Sequence, residues 1–312
     1  MTAKKNVFSS KSERANFLKL SREWSDKYNI YHNLPFLNVF DPVGLVDLSD
    51  WRNPQPIRLT ELELSRLKKT SIDYTLCDGS DKPIICIEFD GLQQGCNVGT
   101  TYQTNIQSTA WRKEITELKL KVAHGSEFPF FVVGSDYFED ISPQTKLTIV
   151  DGIIGEVIGN QAARERMNQG FDPTEVGWTK EDFDELPENE KHDIVQDWII
   201  GVEIDAEMEH NPVSRRLEEL DGKVSYISYS IEYLVSPSID HISDPSELIR
   251  HYDQAKFHGT RVTLTTEDFG PVKATAWLPN FKAPWHSGIR LSEEIAKLLA
   301  LEKLGKLRRS QD

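Results

Sequence analysis

Hydrophobic residues recur at helical spacing in several stretches of the chain. In residues 12–28, Phe17, Leu20 and Trp24 repeat every three or four positions, and Ser12 precedes them as a candidate N-cap. This pattern predicts a first helix. Further helices are predicted by the same spacing over 60–69, 111–124, 146–169 and 188–210, around 245–258, and from Ser292 onward.

Short runs rich in β-branched and aromatic residues predict strands. Runs 71–77 and 83–90 flank a turn that contains Asp-Gly, which is the pattern of a β-hairpin. The second run is apolar on both faces until Glu88, as expected of a central strand covered on both sides. We also predict extended chain over 30–40, strands over 128–133 and 224–234, a hairpin of 260–266 with 271–278, and loops over 41–58 and 91–109.

The mixture of these elements predicts an α/β protein in which helices flank a mixed central sheet. We divide the chain into a core of 1–145, a helical and acidic segment of 146–221, and an α+β C-terminal region of 222–312. The longest apolar run, 128–133, is far shorter than the roughly 20 residues that span a bilayer, so no membrane segment is expected. The basic N-terminus lacks the apolar stretch of a secretory signal, which predicts a cytoplasmic protein.

Charge is distributed unevenly along the chain. The formal net charge of −14 argues against a protein that coats nucleic acid, but residues 172–221 alone hold 17 acidic and only 4 basic residues. Two interpretations of this segment remain open. It docks a basic protein partner or shields a cleft, or it is a helical insert with a solvated, charged outer face.

Three acidic residues near the predicted hairpin are the strongest candidates for chemistry. Glu88 and Asp90 are two positions apart on one strand and therefore project from the same face. Antiparallel pairing of the two strands places Asp73 opposite residue 87 or 88. Carboxylates this close repel one another unless a cation joins them, and an oxygen-only cluster favours Mg²⁺ or Mn²⁺. Acidic side chains that merely face water at strand ends are the alternative.

The segments D-Y-T-L-C-D (73–78) and K-P-I-I-C-I-E-F-D-G (82–91) resemble the PD-(D/E)XK nuclease superfamily. The nearest branch comprises domains akin to the very-short-patch-repair endonuclease, with the signature I-E-x-D-G, and the likeness covers roughly 1–140. The resemblance implies a PD-(D/E)XK-like fold and a magnesium- or manganese-dependent endonuclease that acts on DNA. It also implies that Asp73 and Glu88 bind the metal, that Asp90 is an auxiliary ligand, and that Glu13 is the glutamate of the first helix.

The superfamily usually places a lysine two residues after the glutamate, where this chain has Asp90. A cationic catalytic group must then come from elsewhere in the chain, and Lys113, Lys119 and Lys121 on the next helix are candidates. Together with Arg112, these lysines would attract phosphate, although a solvated helix face explains them equally well.

The loop 91–109 contains no charged residue and follows Asp90 directly. Its Gln93 and Gln94 would bind phosphates or bases of a substrate, and a loop without a functional role is the alternative. They stand where the branch tends to carry a histidine, and glutamine cannot take up a proton at neutral pH. The alternative function is therefore a nuclease-like fold without catalytic activity, which serves as a binding or assembly module for a protein partner.

Overall fold

The computed structural model describes residues 8, 10–47, 55–91, 95–104, 108–236 and 255–310. The strands are β1 Asn29–Pro35, β2 Val46–Asp47, β3 Gln55–Pro56, β4 Ser71–Cys77, β5 Pro83–Asp90, β6 Cys96–Val98, β7 Thr101–Gln103, β8 Phe130–Gly134, β9 Asp140–Ser142, β10 Thr145–Thr148, β11 Ser228–Ser236, β12 Phe257–Thr266 and β13 Gly270–Pro279. The α-helices are α1 Lys11–Trp24, α2 Phe36–Val39, α3 Glu61–Leu67, α4 Ala110–Gly125, α5 Ile149–Asn168, α6 Lys180–Asp184, α7 Glu188–His210, α8 Pro212–Asp221 and α9 Gly288–Arg309.

A four-stranded mixed sheet in the order β1-β4-β5-β8 lies in the N-terminal half. β1, β4 and β5 pair antiparallel, and β5 and β8 pair parallel. The predicted hairpin is confirmed, with Tyr74 opposite Ile87 and Cys77 opposite Pro83. β5 has a partner strand on each side, as its apolar sequence predicts. The mixed α/β class is therefore confirmed.

Helices cover both faces of this sheet. One face carries Tyr74, Ile87 and Phe89 and packs into a large core with Leu20 of α1 and Ile153 of α5. The other face carries Cys86, Phe130 and Val132, which pack with Leu118 of α4. The larger core also contains apolar residues of β12, β13 and α9.

Helix α1 spans Lys11–Trp24 within and just before the predicted segment 12–28, and its N-cap is Ser10 instead of Ser12. The Oγ of Ser10 accepts a hydrogen bond from the Glu13 backbone N–H at 3.1 Å. The Glu13 carboxylate in turn accepts from the Ser10 N–H at 3.2 Å. This reciprocal capping box requires an acceptor three residues after the cap. Ser12 lacks one, because Ala15 stands at that position.

The loop predicted over 91–109 contains secondary structure. β6 and β7 form a small hairpin within it, with Cys96 opposite Gln103 and Val98 opposite Thr101. The extended segment predicted over 30–40 is also partly wrong, since α2 follows β1 directly. Helix α5 begins at Ile149 and not at 146, because residues of β10 pair with β9 before Thr148 caps the helix.

The C-terminal region forms an antiparallel sheet in the order β11-β12-β13, and α9 packs against it. The hairpin predicted from 260–266 and 271–278 is confirmed as β12 and β13. Strand β11 begins at Ser228, four residues later than predicted. Most of the helix predicted near 245–258 lies outside the described residues, but Phe257 and His258 belong to β12.

None of the helices in the described ranges combines the length and apolar character that a bilayer span requires. Cys77, Cys86 and Cys96 are buried free thiols. Burial raises the pKa of Cys77 and of Cys96 to about 11, so both thiols are protonated at neutral pH.

Largely buried carboxylates lie next to the partly exposed Arg290 where α7, α8 and α9 meet. Arg290 lies 3.1 Å from Oε2 of Glu207 and 3.6 Å from Oε1 of Glu294. The hydroxyl of Ser214 donates to Glu207 at 2.8 Å or to Glu294 at 3.0 Å. Burial, and then the charge of Glu207, raise the pKa of Glu294 to about 8. One arginine thus faces two carboxylates, and the second carboxylate holds its proton at neutral pH.

We expect Glu294, at the contact of α7, α8 and α9, to make the free energy of unfolding fall as pH rises. The pKa of Glu294 is about 8 in the folded chain and 4.5 ordinarily, so between these values the folded state retains a proton that the unfolded state releases. The free energy of unfolding therefore decreases from about pH 5 to pH 8. Glu294→Gln should flatten this slope and stabilise the protein at pH 8 by on the order of 3 kcal/mol.

Urea denaturation at pH 5, 6.5 and 8 measures this difference. Glu218→Gln on α8 is the matched control, because Glu218 is exposed. An identical pH slope in wild type and Glu294→Gln would contradict the assignment.

Candidate active site

Asp73 and Glu88 lie side by side on the sheet. Because Tyr74 is opposite Ile87, the antiparallel register places Asp73 next to Glu88, with both side chains on the face covered by α4. The Phe89 N–H donates to Oδ2 of Asp73 at 2.8 Å and fixes that carboxylate. Asp90 follows on the same face of β5 and is buried. We call Asp73, Glu88 and Asp90 the carboxylate cluster.

The charge of this cluster is unfavourable for the folded state. Burial raises the pKa of Asp73, the nearby charge of Glu88 raises it further, and Glu13 adds a smaller effect. The Phe89 N–H and Lys119 act in the opposite direction but do not cancel the rise. A cation next to Asp73 would relieve this repulsion and keep the carboxylate ionised.

Lys119 of α4 reaches the cluster. Its Nζ lies 2.7 Å from Oε1 of Glu88 and donates to the backbone carbonyl of Ser71 at 2.7 Å. Only 5% of the lysine side chain and 19% of the Glu88 side chain are exposed. Among the candidates on this helix, Lys119 is thus the cation that the fold brings to the carboxylates.

The hairpin of β6 and β7 closes over Asp90. The hydroxyl of Tyr102 donates to Oδ2 of Asp90. Gly95 passes so close that a β-carbon there would lie 2.7 Å from Oδ2 of Asp90 and 2.8 Å from the Tyr102 hydroxyl. Only glycine fits this approach without displacing one of them. Tyr102 is not among the site residues that the sequence predicts, because 91–109 is predicted to be a loop, although an aromatic residue in that uncharged segment is the available signal.

Glu13 belongs to a neighbouring polar pair. Its Oε1 lies 2.5 Å from Nε2 of His32 on β1, and its backbone carbonyl accepts from the Tyr74 hydroxyl at 2.8 Å. His32, which the sequence analysis also missed, and Glu13 are both largely buried. The N-cap bond and the His32 contact thus engage both carboxylate oxygens of Glu13.

The remaining predicted site residues lie farther from the carboxylates or outside the described ranges. Lys113 is 52% exposed and pairs with Glu117 at 3.9 Å. Lys121 is exposed, and its charge helps to lower the pKa of Glu63 of α3. Arg112 is half-buried, and its charge opposes the rise in the pKa of Tyr102 that burial causes. Gln93 and Gln94 lie outside the described residues.

The cluster has the donor chemistry of a hard-cation site. Oε2 of Glu88 and Oδ1 of Asp90 are buried and accept no hydrogen bond from a described residue, which is costly for a carboxylate. Over the described ranges, however, no three His, Cys, Asp or Glu side chains converge as a complete set of metal ligands. Mg²⁺ is commonly held by one or two carboxylates together with water and substrate phosphate, so the unpartnered oxygens suit it.

No family model, curated protein or solved structure matches this chain. The resemblance to the nuclease superfamily therefore rests on the motif, and the candidate site rests on the geometry of β4, β5 and α4.

Lys119→Met should lower the free energy of unfolding by about 3 kcal/mol, because it leaves the carboxylate of Glu88 without its counter-charge in a poorly solvated position. Lys113→Met, at an exposed position on the same helix, should change stability by less than about 0.5 kcal/mol. Urea denaturation at pH 7 compares the two variants. The Lys119→Met/Glu88→Gln double variant should recover part of the loss, and equal effects of the two single variants would contradict a buried ion pair.

Proposed function

We propose that this protein is a metal-dependent nuclease that hydrolyses phosphodiester bonds in DNA. The observation that carries the proposal is the adjacency of Asp73 and Glu88 on paired strands, with Lys119 in contact with Glu88. The order of elements supports it, since a hairpin that bears the acids is followed by a helix that bears the lysine and by a parallel strand.

Asp73 and Glu88 are the residues that would hold Mg²⁺ or Mn²⁺, with Asp90 as an auxiliary ligand. Glu13 would act from a greater distance, because both of its oxygens are already engaged. A bound divalent cation supplies Lewis-acid chemistry, in that it lowers the pKa of a water and neutralises a phosphate oxygen.

The chain's own residues prepare this site for a phosphodiester. Lys119 holds Glu88 in place and offers its ammonium to the negative charge that develops on the phosphate. Tyr102 holds Asp90 and anchors the β6–β7 hairpin beside it. Arg112, near Tyr102, adds attraction for the DNA backbone at the edge of the site.

Substitution of the two central acids should abolish cleavage. With Mg²⁺ and supercoiled plasmid or linear DNA, Asp73→Asn and Glu88→Gln should each reduce the cleavage rate at least about a hundredfold, the upper range of losses when a residue that supports a metal site is changed. Asp73→Asn should also raise the thermal midpoint, because it removes a repelling charge from the cluster.

Glu114→Gln is the matched control for this assay, since Glu114 is an exposed acid of α4 that pairs with Arg66. Its cleavage rate should equal that of the wild type. If wild type, Asp73→Asn and Glu88→Gln cleave DNA at the same rate, the cluster is not catalytic.

A binding or assembly module without catalytic activity is the second candidate. It is favoured by the partners that the carboxylates already have, Lys119 at Glu88 and Tyr102 at Asp90. Calorimetric titration with Mn²⁺ separates the two functions. Binding in the millimolar range or tighter that is weakened in Glu88→Gln supports the nuclease, and no binding by the wild type supports the module.

A further inference from the structure

The acidic segment 172–221 encloses a groove. The groove is a cavity of about 740 Å³ between α5, α7 and the 3-10 helix Pro173–Val176. We define this acidic groove by Trp178, Ile194, Asp197, Trp198, Gly201 and Asp205, which line it. It shares none of these residues with the carboxylate cluster.

The wall of the groove is built from fixed aromatic side chains. The ring of Trp198 packs against Phe171 with centroids 5.4 Å apart, and its Nε1 donates to Glu175 at 3.0 Å. Glu175 also pairs with Arg166 at 2.9 Å, which compensates its charge. Trp178, in contrast, is 37% exposed at the groove and presents an apolar surface to solvent.

Two carboxylates along the groove lack a counter-charge among the described residues, whereas its basic lining residues Arg166 and His210 lie next to other glutamates. Asp197 and Asp205 are exposed and make no ion pair with any described residue. Eight positions separate them on α7, which corresponds to about 12 Å along the helix axis. A row of acidic side chains beside an exposed tryptophan is complementary to arginine, whose guanidinium binds carboxylates bidentately and stacks on aromatic rings.

Gly201 lies between the two aspartates and opens the groove. A β-carbon at this position would have no heavy atom within 4 Å, so the helix surface is vacant there. Glycine inside a helix is less favourable than alanine, because it loses more conformational freedom on folding. Gly201 is thus unfavourable for the helix at the position where the groove is open.

We propose that the acidic groove is a docking site for an arginine-containing basic peptide segment of a partner protein. Charge complementarity selects this occupant, because a segment with 17 acidic and 4 basic residues repels DNA. A second copy of the chain, with its own net charge of −14, is also disfavoured. The site is independent of the proposed nuclease activity and would serve either candidate function.

Fluorescence anisotropy tests the proposal. The probe is a labelled twelve-residue peptide in which pairs of arginines alternate with pairs of leucines. The wild type should bind it at low salt, with affinity that falls as salt rises, and should not bind the counterpart with glutamate for arginine. Asp197→Asn/Asp205→Asn should weaken binding at least tenfold. Glu181→Gln/Asp184→Asn, an equal charge change on α6, should weaken it less than twofold.

Gly201→Leu supplies a test of shape that leaves the charge unchanged. Leucine fills the groove and favours the helix, so it should weaken peptide binding at least tenfold without loss of thermal stability. Equal losses of peptide affinity in the two charge-neutralised double variants would overturn the proposal, because the peptide would then be attracted by the general negative charge of the segment and not by the groove. Absence of binding to the wild type at 1 mM peptide would also overturn it. Competition by a DNA oligonucleotide, or dimers in sedimentation that Gly201→Leu abolishes, would identify another occupant and also overturn it.

Discussion

The buried contact between Lys119 and Glu88 is the interaction on which the candidate site depends. It joins α4 to the central strand β5, and the second hydrogen bond of Lys119, to the carbonyl of Ser71, joins the same helix to β4. One ammonium therefore fixes the helix against both strands that carry the acids. A buried pair of this kind contributes little net stability compared with apolar packing, and its value lies in the geometry that it imposes.

The carboxylates of the cluster are held in positions that are unfavourable for stability. Burial and the neighbouring Glu88 oppose ionisation of Asp73, and the second carboxylate oxygens of Glu88 and Asp90 have no hydrogen-bond partner among the described residues. The surrounding sheet tolerates these costs because its opposite face is a continuous apolar core. Unfavourable charges held in place by strong packing are typical of sites that bind a ligand or perform chemistry.

The acidic groove lies in the helical segment and does not share residues with the cluster. The 17 acidic and 4 basic residues of segment 172–221 account for nearly all of the net charge of −14, and this charge would interfere with phosphate binding if it surrounded the acids of β4 and β5. Two surfaces of different chemistry are thus available on one chain, one suited to a cation and phosphate and the other to a basic peptide. Such a separation would let a protein partner bind without occupying the site on the sheet.

The sequence by itself determined most of the longer helices and the hairpin that brings Asp73 beside Glu88, because alternation, an Asp-Gly turn and helical spacing are short-range signals. It did not determine which lysine reaches Glu88, since Lys113, Lys119 and Lys121 differ only by the rotation of α4 over the sheet. It also did not reveal Tyr102 or His32, whose partners Asp90 and Glu13 are 12 and 19 positions away along the chain. These contacts were decided by the tertiary structure, because helix register and hairpin placement follow from packing between segments distant in sequence.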